Sequence, residues 1–268
     1  MADAPLGPAA RPGRRRPPAT ELRLVAILGF LAVWEGLGAS GLVYPGVLPS
    51  WTAILAALAK FLLSPVFWFC FWVSALEIAV SLAIGTVLGL FAGIALGMGG
   101  LAGRGLERYA QYVASTPKVV FLPLIFILFG IGSASKIALG AFACSFPVTL
   151  GIASAMRQLH PVYLSVAKGF DLTAWQTARM VFLPALRQPI LTALRIALGI
   201  AFSACLVAEM KFSSAGLGWL IDASYERSRF ADVYALLIVV IGLAISATAL
   251  LGRLEAAFDR RGRLKVST

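Results

Sequence analysis

The sequence predicts an all-α membrane protein with about six transmembrane helices. Of its 268 residues, 60% are hydrophobic and 13% are charged, and the mean hydropathy of +0.89 is far above that of a water-soluble domain. Several apolar runs of about 20 residues follow one another, and each is long enough to cross a bilayer about 30 Å thick as a helix. The short alternating segments of a membrane β-barrel do not fit this pattern.

The chain begins with a basic stretch, residues 1–22, that is rich in Pro, Ala and Arg and lacks hydrophobic periodicity. This composition is typical of disorder, so we expect a disordered tail, which we place in the cytoplasm. A basic stretch before an apolar one is also compatible with a cleaved signal peptide. Because the apolar run from Leu24 through Trp34 continues without a clear small-residue cleavage site, a retained first helix is favoured.

We place the six helices at residues 23–42, 72–98, 108–130, 134–156, 186–210 and 231–252. They form a transmembrane domain over residues 23–252, and a second basic tail follows at 253–268. Most Lys and Arg residues lie in the two tails and in the gaps after the second and fourth helices, so both termini are predicted to be cytoplasmic. The net charge of +11 therefore indicates membrane topology and not a nucleic-acid-binding surface.

The second helix carries a glycine strip at strict four-residue spacing: Gly85, Gly89, Gly93 and Gly97. Residues with this spacing lie on one face of a helix, and without side chains they let another backbone approach closely. Packing within one subunit is the favoured interpretation. A subunit interface or a gating surface is the alternative.

Prolines interrupt the next two helices. Pro117 and Pro123 in the third helix and Pro147 in the fourth are expected to kink or locally open them, because proline lacks the backbone N–H of a regular helix. In a membrane such breaks are tolerated where they face protein or a cavity, as in a transport path.

The sequence offers little for catalysis. Cys70, Cys144 and Cys205 lie in or beside apolar runs without metal-ligand spacing, so we expect them to be buried small hydrophobic residues. The single histidine, His160, lies alone in a predicted cytoplasmic gap, and no paired carboxylates stand at ligand spacing. A membrane-embedded enzyme is therefore disfavoured.

The gap after the fourth helix contains a segment that we call the elbow, residues 161–184. It reads as two short amphipathic helices, Val162 to Gly169 and Thr173 to Val181, with Thr173 as an N-cap and Pro184 beyond the second helix. Two such helices could dock into a groove on a soluble partner. An interfacial loop lying on lipid headgroups is the alternative. The docking residues would be Lys168, Gln176 and Arg179 with the apolar Val166, Trp175 and Val181.

The segment from Tyr163 to Pro184 resembles the EAA loop that permeases of ATP-binding-cassette (ABC) importers insert into their ATPase subunits. It is most similar to the branch associated with sulfonates, taurine and nitrate. Further matches run along nearly the whole chain, among them Trp34–Glu35, Leu122–Leu124, Leu194–Gly199 and Gly216–Gly218. The resemblance implies the type I ABC importer permease fold.

The resemblance assigns the ATPase-coupling role to residues of the elbow, with two departures from the family pattern. Ser165 stands where the family usually has its glutamate, which removes a polar contact with the ATPase. Asp171 stands where the family has its glycine, and aspartate tolerates the left-handed geometry of a helix end better than most residues. The coupling residues are Ser165, Val166, Ala167, Lys168, Gly169, Asp171, Trp175, Gln176 and Arg179.

The resemblance also implies the partners. No glycine-rich phosphate-binding loop with its Lys-Ser/Thr pair occurs in the sequence, so ATP and Mg²⁺ are expected on a separate dimer of ATPase subunits, and no cofactor is expected in this chain. A second copy of the permease and an extracytoplasmic solute-binding protein complete the expected assembly in the bacterial inner membrane. The solute crosses by alternating access.

Charged residues at membrane depth are candidates for the translocation path. Lys118 and Arg195 could attract an anionic solute, with an internal ion pair as the alternative, and Glu209, Glu35 and Glu77 are placed nearer the membrane boundaries. The Pro117–Lys118 pair is similar to permeases for vitamin or pyrimidine precursors. The segment Ser213 to Ile221, which we call the gate segment, resembles the outer gate of the family, where Gly216 and Gly218 permit a sharp turn.

A stand-alone secondary carrier or channel is the other functional alternative, because it too would be helical and would lack ATP-binding motifs. Such a carrier needs no paired amphipathic helices for an ATPase, and the inverted internal repeat expected of many carriers is not visible. The sequence therefore favours the importer and leaves the solute open.

Overall fold

Helices form the framework of the protein in the computed structural model, which describes residues 19–40, 46–159, 162–211 and 213–264. No strand occurs in these ranges, and the prediction of an all-α fold is confirmed. Residues 1–18 of the first predicted tail, residues 265–268 of the second and Pro161 of the elbow lie outside the described residues. The domain boundaries at 22 and 252 stay predictions.

The described helices are α1 (Ala19–Ala39), α2 (Trp51–Leu62), α3 (Pro65–Met98), α4 (Gly100–Ser115), α5 (Leu122–Phe129), α6 (Ser133–Gln158), α7 (Val162–Gly169), α8 (Ala174–Thr177), α9 (Leu183–Ala185), α10 (Arg187–Met210), α11 (Leu217–Glu226) and α12 (Phe230–Leu264). A 3-10 turn, Lys118–Phe121, precedes α5, and a π-turn, Ala178–Phe182, lies between α8 and α9. The chain divides into two units, Met1–Ala53 and Ile54–Thr268, and α2 begins in the first and continues into the second.

In the first unit, polar contacts join α1 to the start of α2. The Nε1–H of Trp34 donates to the carbonyl of Pro49 at 3.2 Å, and the carboxylate of Glu35 accepts the backbone N–H of Trp51 at 3.2 Å. The Trp34 and Trp51 rings pack with their centroids 5.4 Å apart. Glu35 therefore helps to fix the start of α2, since a carboxylate satisfies one of the N–H groups left unpaired at a helix N-terminus.

In the second unit, α3 packs along α6 through the glycine strip. A Cβ atom added at Gly89 would lie 2.6 Å from the carbonyl oxygen of Ser145, and one added at Gly93 would lie 2.7 Å from that of Thr149. A Cβ atom added at Gly85 would collide with Ala141 and Cys144 of α6, and one added at Gly97 would collide with Met156. The strip thus packs within one chain, which was the favoured interpretation, and the α6 backbone occupies the surface that the alternative needed.

The predicted third helix, 108–130, is wrong as a single span. The structure breaks it into α4 and the run Lys118–Phe129, which meet at an angle of 89°. Thr116 is extended (ψ 136°) because a residue before proline is pushed out of the helical region, and Pro117 has no N–H with which to continue α4. Pro123 lies in the first turn of α5, where proline is tolerated, so it begins a helix and does not kink one.

The expected number of six continuous spans is not reproduced in the described residues. Four helices are long and apolar enough to cross a membrane: α3, α6, α10 and the part of α12 from Phe230 to Arg253; the bent pair adds a fifth candidate. The apolar stretch found in the described part of α1 is Leu28–Gly38, and α3 begins at Pro65, before the predicted residue 72. α6 continues through Pro147 without interruption.

The core of the second unit lies where α3, α6 and α10 meet. Cys144, Val148 and Ile152 of α6 are almost completely buried against Ala197, Ala201 and Cys205 of α10. Small side chains on α10 let it approach α6 closely, as they do between membrane helices in general. Cys70, Cys144 and Cys205 are all buried free thiols, as predicted.

Candidate functional site

The elbow is anchored to the core by its C-terminal part. Phe182 of the π-turn is 3% exposed, and Leu186, which follows α9, is fully buried in the cluster that contains Val148 and Ile152 of α6. Val181 packs against the same cluster. The prediction that it faces a docking partner is therefore wrong. A displacement of the elbow would therefore act directly on the packed helices.

The opposite face of the elbow is exposed and carries large apolar side chains. Phe170, Trp175 and Met180 are exposed to 76%, 65% and 63%. Such a concentration of exposed apolar surface on one short segment is typical of a contact site for another protein or for lipid. Of the predicted coupling residues, Ser165, Gly169, Asp171, Gln176 and Arg179 are also exposed, while the side chains of Val166, Ala167 and Lys168 lie outside the described residues.

A reciprocal capping box starts the second helix of the elbow. The backbone N–H of Gln176 donates to Oγ1 of Thr173 at 3.3 Å, and the Gln176 side-chain oxygen accepts the backbone N–H of Thr173 at 2.9 Å. The prediction of Thr173 as an N-cap is confirmed. Because the box fixes where the helix begins, it also fixes the direction of the exposed Trp175 that follows.

The end of this second helix was predicted wrongly. The helical run does not stop before Pro184 but passes through it to Ala185, by way of the π-turn. Pro184 has no N–H to donate to the carbonyl of Met180, and the N–H of Leu183 reaches back to Ala178 in the wider turn. The wider turn lets the helix continue to Leu186.

Asp171 occupies the turn between the two elbow helices in a left-handed conformation, with φ of +47°. This is the geometry that glycine adopts without strain and that aspartate and asparagine adopt at moderate cost. The backbone of this chain therefore keeps the turn for which the family uses glycine.

We expect Asp171→Gly to raise the thermal midpoint of the detergent-solubilised protein slightly and Asp171→Val to lower it. A β-branched residue in this conformation costs about 1–2 kcal/mol, and glycine relieves the strain. Differential scanning fluorimetry measures both shifts. Asp171→Asn is the matched control, because it removes the charge but keeps the tolerance of left-handed geometry. A loss with Asn as large as the loss with Val would show that the charge, and not the backbone, matters.

The predicted gate residues meet at the end of α10 opposite the elbow. Gly216 has φ of +111°, and a Cβ atom there would collide with the carboxyl group of Glu209; at Gly218 it would lie 2.7 Å from Cβ of Glu209. The N–H of Gly218 donates to Oε2 of Glu209 at 2.7 Å, and the N–H of Leu217 donates to Oγ of Ser74 at 2.7 Å. Glu209 therefore holds the gate segment and is fully buried beneath it.

A buried ion pair lies beside this cluster and was not predicted. Nζ of Lys136 in α6 lies 3.4 Å from Oε1 of Glu77 in α3, and their side chains are 4% and 1% exposed. Lys136 lies in the first turn of α6. The available signal was one acidic and one basic residue, each set in an apolar run.

Lys118 and Arg195 do not join the gate cluster. The ammonium of Lys118 donates to the carbonyl of Ala114 and lies 5.5 Å from the centroid of the Phe146 ring. Arg195 is exposed in the first half of α10. The three residues predicted for the translocation path are thus found in three different places.

An open, apolar cavity of about 670 Å³ lies between α3, α5 and α6. The Phe142 ring lines it and packs against Phe146, the ring beneath the Lys118 ammonium. The cavity is large enough for a small solute. Other lining residues are Ile84, Leu88, Phe121, Phe129 and Ser145.

A second ion pair joins α4 to the end of α6 next to the elbow. The guanidinium of Arg157 contacts both carboxylate oxygens of Glu107, at 2.5 and 2.7 Å, and Glu107 is 7% exposed. A bidentate pair of this kind fixes orientation as well as distance. It holds the last turn of α6 immediately before α7 begins.

Comparison with known proteins places this arrangement in a family. The family described as binding-protein-dependent transport system inner membrane component matches residues 85–264. A Bacillus subtilis protein assigned to aliphatic sulfonates transport as a permease is 30% identical over 251 residues, covering 93% of this chain and 87% of its own length. The taurine transport system permease of Escherichia coli is 28% identical, covering 81% of this chain and 78% of its own length.

A solved structure supports the fold. The crystal structure of an amino acid ABC transporter with histidines contains a chain that aligns with a TM-score of 0.53 at 21% identity, covering 77% of this chain and 97% of that one. Members of the matched family are membrane components that work with a separate ATPase subunit and a substrate-binding protein. The chain belongs to the binding-protein-dependent transport system inner membrane components and is the permease subunit of an ABC importer, a multi-pass inner membrane protein.

Proposed function

We propose that two copies of this chain form the translocation path and that each docks an ATP-binding subunit through the exposed face of its elbow. The two-faced character of the elbow carries the proposal. Phe170 and Trp175 are exposed on one face, while Phe182 is buried in the helical core on the other. A segment built in this way can bind a soluble partner and pass its movement to the membrane helices.

The partner ATPase dimer binds ATP and Mg²⁺, and this chain contributes no cofactor. Docking at the elbow requires the elbow to be cytoplasmic. The distribution of Lys and Arg supports cytoplasmic termini and a cytoplasmic elbow, because most of these residues lie in the two tails and in the gaps after the second and fourth predicted helices. The gate segment then lies at the outer side, where an extracytoplasmic binding protein delivers the solute.

The solute proposed is small and carries an anionic group, of the sulfonate, taurine, nitrate or bicarbonate kind. Support comes from the relatives, whose names assign them to aliphatic sulfonates, taurine, bicarbonate and nitrate. Lys118 lies over the Phe146 ring, close to the Phe142 wall of the cavity, where it provides a positive charge beside an apolar chamber. The chamber leaves room for a small solute beside this charge, and the second copy of the chain is proposed to close its open side.

The docking proposal is tested by a pull-down from mild detergent. The tagged chain is compared with a variant that combines Lys168→Glu, Arg179→Glu and Trp175→Ala. We expect the native chain to recover an ATP-binding subunit and the variant to lose at least about nine-tenths of it, because an exposed aromatic anchor and two charges are altered together.

The matched control combines Tyr225→Ala at the end of α11 with Arg227→Glu and Arg229→Glu in the loop that follows it. It changes the same number of charges and removes one exposed aromatic ring, but on the side proposed to be external. Equal recovery from native chain and control supports docking at the elbow. Equal recovery from all three proteins, or recovery from none in any nucleotide state, would contradict the proposed docking surface.

A further inference from the structure

Glu77, Lys136 and Glu209 form a buried triad that connects three helices beneath the gate segment. Glu77 lies in α3, Lys136 in α6 and Glu209 in α10, and each is at most 3% exposed. Charged groups at this depth are expensive unless they are paired, so their arrangement must satisfy both charge and hydrogen bonding.

One oxygen of each carboxyl group in the triad has a hydrogen-bond partner and one does not. Oε1 of Glu77 pairs with Lys136, and Oε2 of Glu209 accepts the N–H of Gly218. Oε2 of Glu77 and Oε1 of Glu209 are buried without a hydrogen-bond partner. An unsatisfied oxygen on each of two buried carboxyl groups is unusual, since buried polar atoms are nearly always hydrogen-bonded.

Glu77 lies one turn along α3 from Ser74, and Ser74 and Glu209 accept the N–H groups of the adjacent residues Leu217 and Gly218, so the two carboxyl groups lie close together beneath the gate segment. Among the described residues Glu209 takes part in no ion pair, and its hydrogen-bond partner is the N–H of Gly218. Two buried free thiols belong to the same helices: Cys205 lies one turn before Glu209 in α10, and Cys70 lies in α3. Two ionised carboxylates and one ammonium would leave a net negative charge in the interior.

We propose that Glu209 carries a proton on Oε1 and donates it to Oε2 of Glu77, so that the triad binds one proton. Glu77 remains ionised because its other oxygen faces the Lys136 ammonium. This single proton gives a partner to both unsatisfied oxygens and makes the triad neutral. Oε2 of Glu209 stays free to accept the Gly218 N–H.

The proton makes the triad a latch for the gate segment. Through Gly218, Glu209 holds the start of α11, and through Ser74, α3 holds the N–H of Leu217. If Glu209 lost its proton, two carboxylates would face each other directly below this segment, and their repulsion would loosen it. The proposal rests on the positions of these side chains and does not depend on how the elbow docks an ATPase.

Infrared spectroscopy of the purified full-length chain tests the protonation state. We expect a protonated carboxyl C=O band that shifts on exchange into D₂O and that disappears in Glu209→Gln. Glu107→Gln is the control, because Glu107 is ionised against Arg157, so this substitution should leave the band unchanged. Absence of the band in the native chain, or its persistence in Glu209→Gln, would overturn the proposal.

Thermal unfolding of the same variants tests the assignment of the proton to Glu209. Glutamine at 209 can still accept from Gly218 and donate to Glu77, so we expect a midpoint within about 2 °C of the native value. Glu77→Gln leaves Lys136 buried without its counterion and should lower the midpoint by about 5 °C or more. The double variant Glu77→Gln/Lys136→Gln should recover part of this loss.

The reverse ranking, with Glu77→Gln tolerated and Glu209→Gln damaging, would overturn the assignment of the proton to Glu209. A bound cation is the other way to balance the triad. It would show itself as a midpoint that rises with Na⁺ or K⁺ concentration and as a missing acid band, and this combination would overturn the shared proton.

Discussion

Gly89→Leu is expected to abolish the folded form of the protein. A Cβ atom at this position would lie 2.6 Å from both the carbonyl oxygen of Ser145 and Cβ of Val148, and a leucine carries three further carbon atoms. The obstacle is helix backbone, which cannot rotate away as a flexible side chain can. Gly85 and Gly93 hold α6 equally close on either side, so moving α6 away from residue 89 would break their contacts too. The loss of folding free energy therefore exceeds the value of about 1–3 kcal/mol that is typical of overpacking in a core.

Fluorescence-detected size-exclusion chromatography measures this outcome as loss of the monodisperse peak. Gly242→Leu in α12 is the matched control, because a Cβ atom there meets no atom within 4 Å. It makes the same change in an equally apolar helix and should leave the peak unchanged. A normal peak for Gly89→Leu would mean that α3 and α6 do not pack through the glycine strip.

Phe182→Ala is expected to have the second-largest effect, because it removes the anchor of the elbow. The ring is 3% exposed and packs into the core with Leu186, and truncation of such a buried phenylalanine costs about 3–5 kcal/mol. We expect a clear fall in the thermal midpoint. Weakened coupling should follow in the assembled transporter, measured as less solute-stimulated ATP hydrolysis per complex, since the elbow would no longer be fixed to the helices.

Phe170→Ala provides the comparison within the same segment. Its ring is 76% exposed, so its removal should leave the midpoint of the isolated permease unchanged. Equal destabilisation by the two substitutions would contradict the division of the elbow into an anchored and an exposed face.

The long apolar helices could be predicted from sequence because their stability depends on local composition. α6 and α10 were placed to within about two residues, since 20 or more apolar residues between basic gaps leave few alternatives. α2 was missed because the prediction looked for apolar runs long enough to cross a bilayer, and its 12 residues are too few. The early start of α3 was missed because the aromatic run after Pro65 was read as part of the preceding gap.

The broken third span was only half predictable. Pro117 and Pro123 indicate that a continuous helix is disrupted. The same two prolines are compatible both with a slight kink and with the 89° bend that the structure shows. What decides between them is the packing of α5 against α6, where Leu122 and Ile125 are buried. That contact depends on residues far away in the sequence.

The buried triad was the hardest part of the site to foresee. Glu77 and Lys136 are 59 residues apart in the sequence, and no pattern in the residues around either one predicts that they form a contact. The sequence did indicate Glu209, Gly216 and Gly218, but assigned them separately to a path and a gate. The structure brings these three together because Gly216 and Gly218 lack the side chains that would keep the chain away from the carboxyl group. The left-handed Asp171, in contrast, could be anticipated from one residue, because a turn restricts its own side chain.

The length and continuity of α10 determine whether its two ends move together. The helix starts immediately after the anchored Leu186 and ends beside Glu209, and its 24 residues form a strut about 36 Å long. Its sole proline, Pro189, lies in the first turn, so no hinge divides the remainder. A displacement of one end of α10 along its axis therefore moves the other end by the same distance. The elbow end and the gate end of α10 would then move in a single event, with no relay of separate steps between them.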